Sequence, residues 1–227
     1  MRPIPAFVLP PLAALALAVI AAAPAGADST NAAPVIEMTT VPVDVARLPW
    51  IGDDTRKFVA DTQARFKSGQ VAAYVFAASP NGNWGLRTAE GGTTPPSIAD
   101  LARQALEQCE YFYVLPCRIM AINGMAMQDG TGGWAAQPYM LAPEPARFDF
   151  ERVPFVGEHD RQLLRDYAFQ SSPKALAVSD GGFWSWKGAD TVQDAITLAM
   201  NDCKTGNGNQ DCYLYAVNDF VVMDFKR

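Results

Sequence analysis

Four cysteines, a pair of tryptophans one residue apart, an oxygen-rich loop and a single histidine are the residues of this chain whose types and spacing could do chemistry. Cys109 and Cys117 form one close pair in sequence, Cys203 and Cys212 another. Thiols so placed can bind a metal, cycle between redox states or oxidise to structural disulfides. Zinc takes tighter Cys-x2–4-Cys pairs with further ligands nearby, and the sole His159 lies in another element. A dithiol redox centre takes Cys-x-x-Cys, which is absent. Structural disulfides remain. Four cysteines allow three pairings, and only 109–117 with 203–212 closes each region on itself. By the chain-entropy estimate each such loop adds about 2.5 kcal/mol.

The other candidates are weighed against their plain structural roles. "CKTGNGNQDC" (203–212) alternates oxygen-bearing side chains as calcium loops do. It has too few acids and no bidentate Glu, so it reads as a solvated turn. Trp184 and Trp186 point to one side of a strand, as sugar-stacking platforms do. The related stretch "NWGLR" puts Trp84 and Leu86 there, which marks a core face instead. Phe183 lies on the opposite, polar side, where the related residue is Asn83; it is a candidate contact point. So are Trp134 and Tyr139, within a segment rich in Gly, Pro and Ala. Asp149 and Arg152 are either a structural ion pair or half of a ligand site. No Gly-x-Ser-x-Gly elbow or His-Glu-x-x-His occurs, and no glycine run joins a strand to a helix as a phosphate loop does. No catalytic residue, metal or cofactor is assigned. The 24 acidic residues leave a carboxylate-dependent hydrolase as the outlying alternative.

The elements that carry these residues are written twice. "VDVARLPWIG" (43–52) returns as "FDFERVPFVG" (148–157), an offset of 105 that also pairs Arg56 with Arg161 and Asp61 with Asp166. After a small deletion "VAAYVF" faces "KALAVS", Trp84 faces Trp184, "SIADLARQALEQC" faces "TVQDAITLAMNDC", and "CRIMAING" faces "CYLYAVND". A period of this length is too long for a solenoid and reads as duplication of a small domain.

Each copy reads as α-β-β-α-β. Ile98, Leu101, Ala102, Ala105, Leu106 and Cys109 trace one helical stripe, and Val192, Ala195, Ile196, Ala199, Met200 and Cys203 trace it again. Ser97 and Thr191 stand as N-caps. "SPNGN" and "SDGGF" are hairpin turns ahead of that helix. A further amphipathic helix opens each unit, with Phe58 and Val59 matching Leu163 and Leu164. The twice-written phrase is a short extended lead-in, ended by Pro49 or Pro154 and by Gly52 or Gly157. The fold class is therefore α+β, with two duplicated units whose antiparallel sheets run in the order 2-1-3. Both helices are expected over one face. The third strand is apolar on both sides and makes a poor exposed edge, so the two units are expected to join into one pseudo-twofold six-stranded sheet.

Arg2, the apolar run 7–22 and Ala25-Gly26-Ala27 give residues 1–27 the form of a signal peptide. An extended segment follows at 28–42, then unit 1 at 43–123, a linker at 124–147 and unit 2 at 148–227. Cleavage would remove Arg2 and lower the net charge from −6 to −7. An acidic chain without a basic cluster excludes nucleic acid as a partner, and no later segment suits membrane insertion. The expected location is periplasmic or secreted, where disulfides persist. The helix ending in Cys followed by Cys-x-x-x-Ala-Ile/Val-Asn, carried best by "ALAVSDGGFWSW" and "CYLYAVND", resembles small exported proteobacterial domains of unknown function. That resemblance implies an exported, disulfide-bearing, non-catalytic module and lends no site residues. The expected function is binding or structural, toward a protein or envelope ligand. An inhibitor of a basic hydrolase, helped by the negative charge, is the alternative. Non-reducing peptide mapping should find 109–117 and 203–212 linked; a crossed 109–203 or 117–212 link would refute local closure.

Overall fold

The structure, a computed structural model, describes residues 38–91, 96–111, 117–127 and 146–223. The signal segment, most of 28–42, most of the linker and the candidates Trp134 and Tyr139 lie outside the described residues. The chain is mixed α+β with two antiparallel sheets. Its amino-terminal half runs β1 (Met38–Pro42), a 3-10 turn (Val45–Arg47), α1 (Asp53–Lys67), β2 (Val71–Ala78), β3 (Trp84–Glu90), α2 (Ile98–Tyr111), β4 (Arg118–Ile122) and β5 (Met125–Met127). The carboxy-terminal half runs a 3-10 turn (Phe150–Arg152), α3 (Glu158–Leu163), α4 (Arg165–Phe169), β6 (Lys174–Val178), β7 (Trp184–Gly188), α5 (Val192–Gly206), β8 (Tyr213–Val217) and β9 (Phe220–Val221).

The first sheet has the order β1-β5-β4-β2-β3 and the second β7-β6-β8-β9. Within each, the hairpin pair and the strand after the second helix stand in the expected 2-1-3 order. The single six-stranded sheet does not form. The edge of β4 is taken by β5 and then β1, and the edge of β8 by β9. The turn that makes this cover is short. Asn123 and Gly124 both hold positive φ, 50° and 82°, which suits a tight hairpin reversal. The start of the predicted linker is thus a strand, and the end of the 28–42 segment is another.

The helices do not share a face either. β2 is apolar at both parities. Ala73, Val75 and Ala77 pack with α2, while Tyr74, Phe76 and Ala78 pack with α1 and the Val45–Ile51 lead-in. In the second half Ala175 and Ala177 meet α5, and Leu176 and Val178 meet Leu164 and Tyr167. A central strand buried on both sides needs a helix on each, so each half is three layers deep.

The helix stripes and caps lie where the spacing puts them. The Ser97 and Thr191 hydroxyls accept the N–H of Asp100 and Asp194, both at 3.1 Å. The hairpin turns close through Ser79 and Ser179, whose N–H groups bond the carbonyls of Asn83 and Phe183 at 2.9 and 2.8 Å. Disulfides join Cys109 to Cys117 and Cys203 to Cys212, each tying the end of a helix to the start of the next strand. The lead-in is not extended throughout. Asp44 and Asp149 each accept a backbone N–H two residues on, at 3.2 and 3.0 Å, and this winds the phrase into a 3-10 turn.

One approach between layers is unusually close. A Cβ built on Gly85 of β3 would land inside the Ala105 carbonyl and 3.0 Å from the Cys109 nitrogen, both backbone of α2. Ser185 at the related place in β7 instead reaches Asp202 of α5 at 2.6 Å. Gly85→Ala should therefore destabilise by about 3 kcal/mol, as overpacking against rigid backbone does. Ser185→Ala should cost about 1 kcal/mol, the worth of one hydrogen bond. Denaturant midpoints of the two variants check the contrast.

Candidate functional site

The densest set of ionisable side chains surrounds Glu107, on the side of α2 turned away from its own sheet. α2 is buried nearly all round. Asp100, Gln104, Glu107, Glu110 and Tyr111 are withdrawn from water together with the apolar stripe. α5 buries only Ala195, Ala199 and Cys203 of its stripe; Val192 is exposed, as are Asp194, Thr197, Leu198 and Asn201. The cover over α2 is the lead-in of the second half. Glu107 Oε2 accepts the Phe155 N–H at 2.5 Å, and its Oε1 accepts from Arg103 at 2.6 Å and from Arg161 at 3.2 Å. Asp100 pairs with Arg103 and accepts the Glu158 N–H at 3.0 Å. This caps the amino terminus of α3, whose own N-cap residue is Gly157.

The arginines complete the junction. Arg103 also donates to the Val156 carbonyl at 2.7 Å, and Arg161 donates to the carbonyls of Val153 at 2.9 Å and Glu151 at 2.6 Å. Arg87 of β3 donates to the Asp180 carbonyl in the hairpin of the second half. Burial lowers the Arg87 guanidinium to about 10, against the pull of Glu107 and Asp180. Burial also lowers Arg161, partly countered by Glu107. At Arg103 burial acts downward too, but Glu107 and Asp100 outweigh it and the net displacement is upward. Each charge is thus compensated by groups drawn from both halves. That arrangement binds one half to the other; a substrate would have to displace backbone partners to reach any of these groups.

The residues singled out in the sequence lie apart from this junction. Asp149 caps its 3-10 turn, and the Arg152 carbonyl accepts from the Tyr215 hydroxyl at 3.4 Å. The related Asp44 and Arg47 form an exposed ion pair at 3.3 Å. Phe183 is 36% exposed, and its ring lies so close over Gly206 of α5 that a Cβ there would fall inside it. Trp84, Trp184 and Trp186 lie on the side facing the first helix of each half but are only partly buried. Phe58 of α1, 49% exposed, rests against Trp84 with ring centroids 5.6 Å apart. Just ahead of the 203–212 stretch, Asp202 of α5 is engaged by Ser185 and by Lys187 at 3.0 Å, and these bonds hold its carboxyl below its ordinary value. Among the described residues no cluster of three or more His, Cys, Asp or Glu is placed to hold a metal ion, and no helix is long and apolar enough to cross a membrane.

The Glu107 cluster carried a sequence signal that single-residue reasoning missed. Arg103, Gln104 and Glu107 stand where α5 has Thr197, Leu198 and Asn201. Two helices with one apolar stripe but different outer faces have different outer neighbours. A comparison with family models, curated proteins and solved structures finds no match.

Glu107→Gln should cost about 3–5 kcal/mol, because it leaves two buried guanidinium groups without their shared counter-charge. Asp53→Asn removes the exposed partner of Arg56 and should cost less than about 1 kcal/mol. Urea unfolding of both variants reads the difference.

Proposed function

We propose that the chain is an exported, non-catalytic binding or structural protein of the bacterial envelope, built from two copies of one α-β-β-α-β unit. Several paired features support the duplication. Trp50 and Phe155 share a positive φ, 69° and 67°. Arg56 and Arg161 each donate through Nε to the carbonyl eight residues back, at Leu48 and Val153. Asn123 and Asn218 each lend a side-chain oxygen to a backbone N–H of the neighbouring central strand, at Tyr74 and Lys174, each one residue before the partner of Ile122 or Val217 in the ladder.

The observation that carries the binding role is the exposure of Phe58 and Leu163, 49% and 47%. They occupy the same place in the opening helix of each half, directly before the buried Val59 and Leu164. Large apolar side chains kept in water at matching positions are suited to contact with a partner. The buried carboxylates and amine among the described residues, Asp100, Glu107, Glu110 and Lys174, are held by backbone and counter-charge instead.

The test immobilises residues 28–227 and offers periplasmic extract and cell-wall fragments in turn. Specific retention is expected, falling at least tenfold for Phe58→Ala/Leu163→Ala, whose exposed sites should leave stability within about 1 kcal/mol of the parent. Equal retention by the double variant overturns the assigned surface. Turnover of wall fragments that is lost on substituting a carboxylate overturns the non-catalytic role.

A further inference from the structure

The junction between the halves joins unlike surfaces. One is the outer face of α2 with Arg87. The other is the lead-in, the start of α3 and the hairpin turn of the second half. A contact of this kind between two equivalent units leaves one surface of each type at the ends. In this chain those are the outer face of α5 and the lead-in of the first half. Both are open to solvent. Asp194, Thr197, Leu198 and Asn201 are exposed on α5, Leu198 at 48%. In the first half Pro49 and Gly52 are exposed and Trp50 is 37% exposed, whereas Pro154 and Phe155 are buried against α2.

We infer that molecules of this protein associate head to tail, the first-half lead-in of one copy seating on the outer face of α5 of the next. The inference rests on the equivalence of the halves proposed above. Two details of the surfaces fit. α1 begins after Gly52 with no side-chain cap, as α3 begins after Gly157, and α3 receives its cap from Asp100 across the junction. Asp194 stands on α5 where Asp100 stands on α2, its carboxylate at the exposed start of the helix. Asn201 stands where Glu107 does and offers an amide oxygen as acceptor. The lead-in presented to them has the required shape, because its backbone takes the same left-handed step before the helix. Its Trp50 carbonyl lies against Gly82 as the Phe155 carbonyl lies against Gly182, so the turn and the lead-in form one surface in both halves.

The contact between copies is weaker than the internal one. Thr197 and Asn201 carry no charge where Arg103 and Glu107 do, and the internal junction also gains from the two halves being one chain. Association is therefore reversible and grows with concentration. The geometry does not close on itself as an isologous dimer would, so assembly continues past the dimer or closes as a ring.

Sedimentation velocity of residues 28–227 over a concentration series reads the assembly, with Leu198→Arg and Pro49→Lys each blocking one end at an exposed position. The parent is expected to show species beyond the dimer, and each variant alone to remain monomeric with an unchanged circular dichroism spectrum. An equimolar mixture of the two variants retains one intact lead-in and one intact α5 face, so it should form a dimer and stop there. A parent that stays monomeric throughout, variants that assemble as the parent does, or a mixture that gains nothing each overturn the inference. Both variants keep Phe58 and Leu163, so retention of an envelope partner separates failure of this inference from failure of the proposed function.

Discussion

A carboxylate held out of water must be answered from every side, and in this protein the answer to Glu107 comes from both halves. Arg103 is one turn away on the same helix, while Arg161 and the Phe155 N–H arrive from the other half. Removing any one partner leaves a buried charge or a buried donor uncompensated, which costs more than the contact contributes when intact. The relative placement of the two halves is therefore set by hydrogen-bond geometry at one residue, with Asp100 and Arg87 fixing it at either side. Apolar contact reinforces it. Tyr111 at the end of α2 packs edge-on against Phe155 and near Tyr213 of the second half.

Within each half the governing constraint is the central strand. β2 and β6 are buried along nearly their whole length. A strand with no wet face needs neighbours on both edges and helices on both sides. The flanking strands, α1 or α3–α4, and α2 or α5 meet that need. The side chains are graded to fit. Alanines on β2 and β6 face α2 and α5, where the layers lie close, and Gly85 permits the closest approach of all. Tyr74, Phe76, Leu176 and Val178 face the opposite side, under α1 in the first half and the broken α3–α4 pair in the second.

Some of this was legible because two similar stretches of sequence could be set side by side. The stripe ending in Cys109 and Cys203, the Ser and Thr caps, the glycine hairpins and the local disulfides depend on contacts close along the chain, and periodicity reports those directly. Three features were not legible. The parity of β2 was visible, but the inference that both helices share a face ignored Tyr74 and Phe76, which need cover as much as Val75 does. Asn123-Gly124 is a turn signal at the start of a Gly-, Pro- and Ala-rich stretch, and composition there hides the short strand β5 that covers the β4 edge. The ionic junction depends on residues more than fifty positions apart, such as Glu107 and Arg161, and polar side chains on a helix ordinarily signal a solvated face.

The disulfides have a consequence for the order of events in making the protein. Each bond joins a cysteine to the next one in the chain, with no other thiol between. For a polypeptide that reaches an oxidising compartment amino terminus first, as the exported reading has it, Cys117 emerges to find only Cys109. Cys212 emerges after that first pair is already consumed. Pairing by order of arrival then yields the native connectivity without reshuffling, and translocation itself selects each bond before the sheet of its own half is complete.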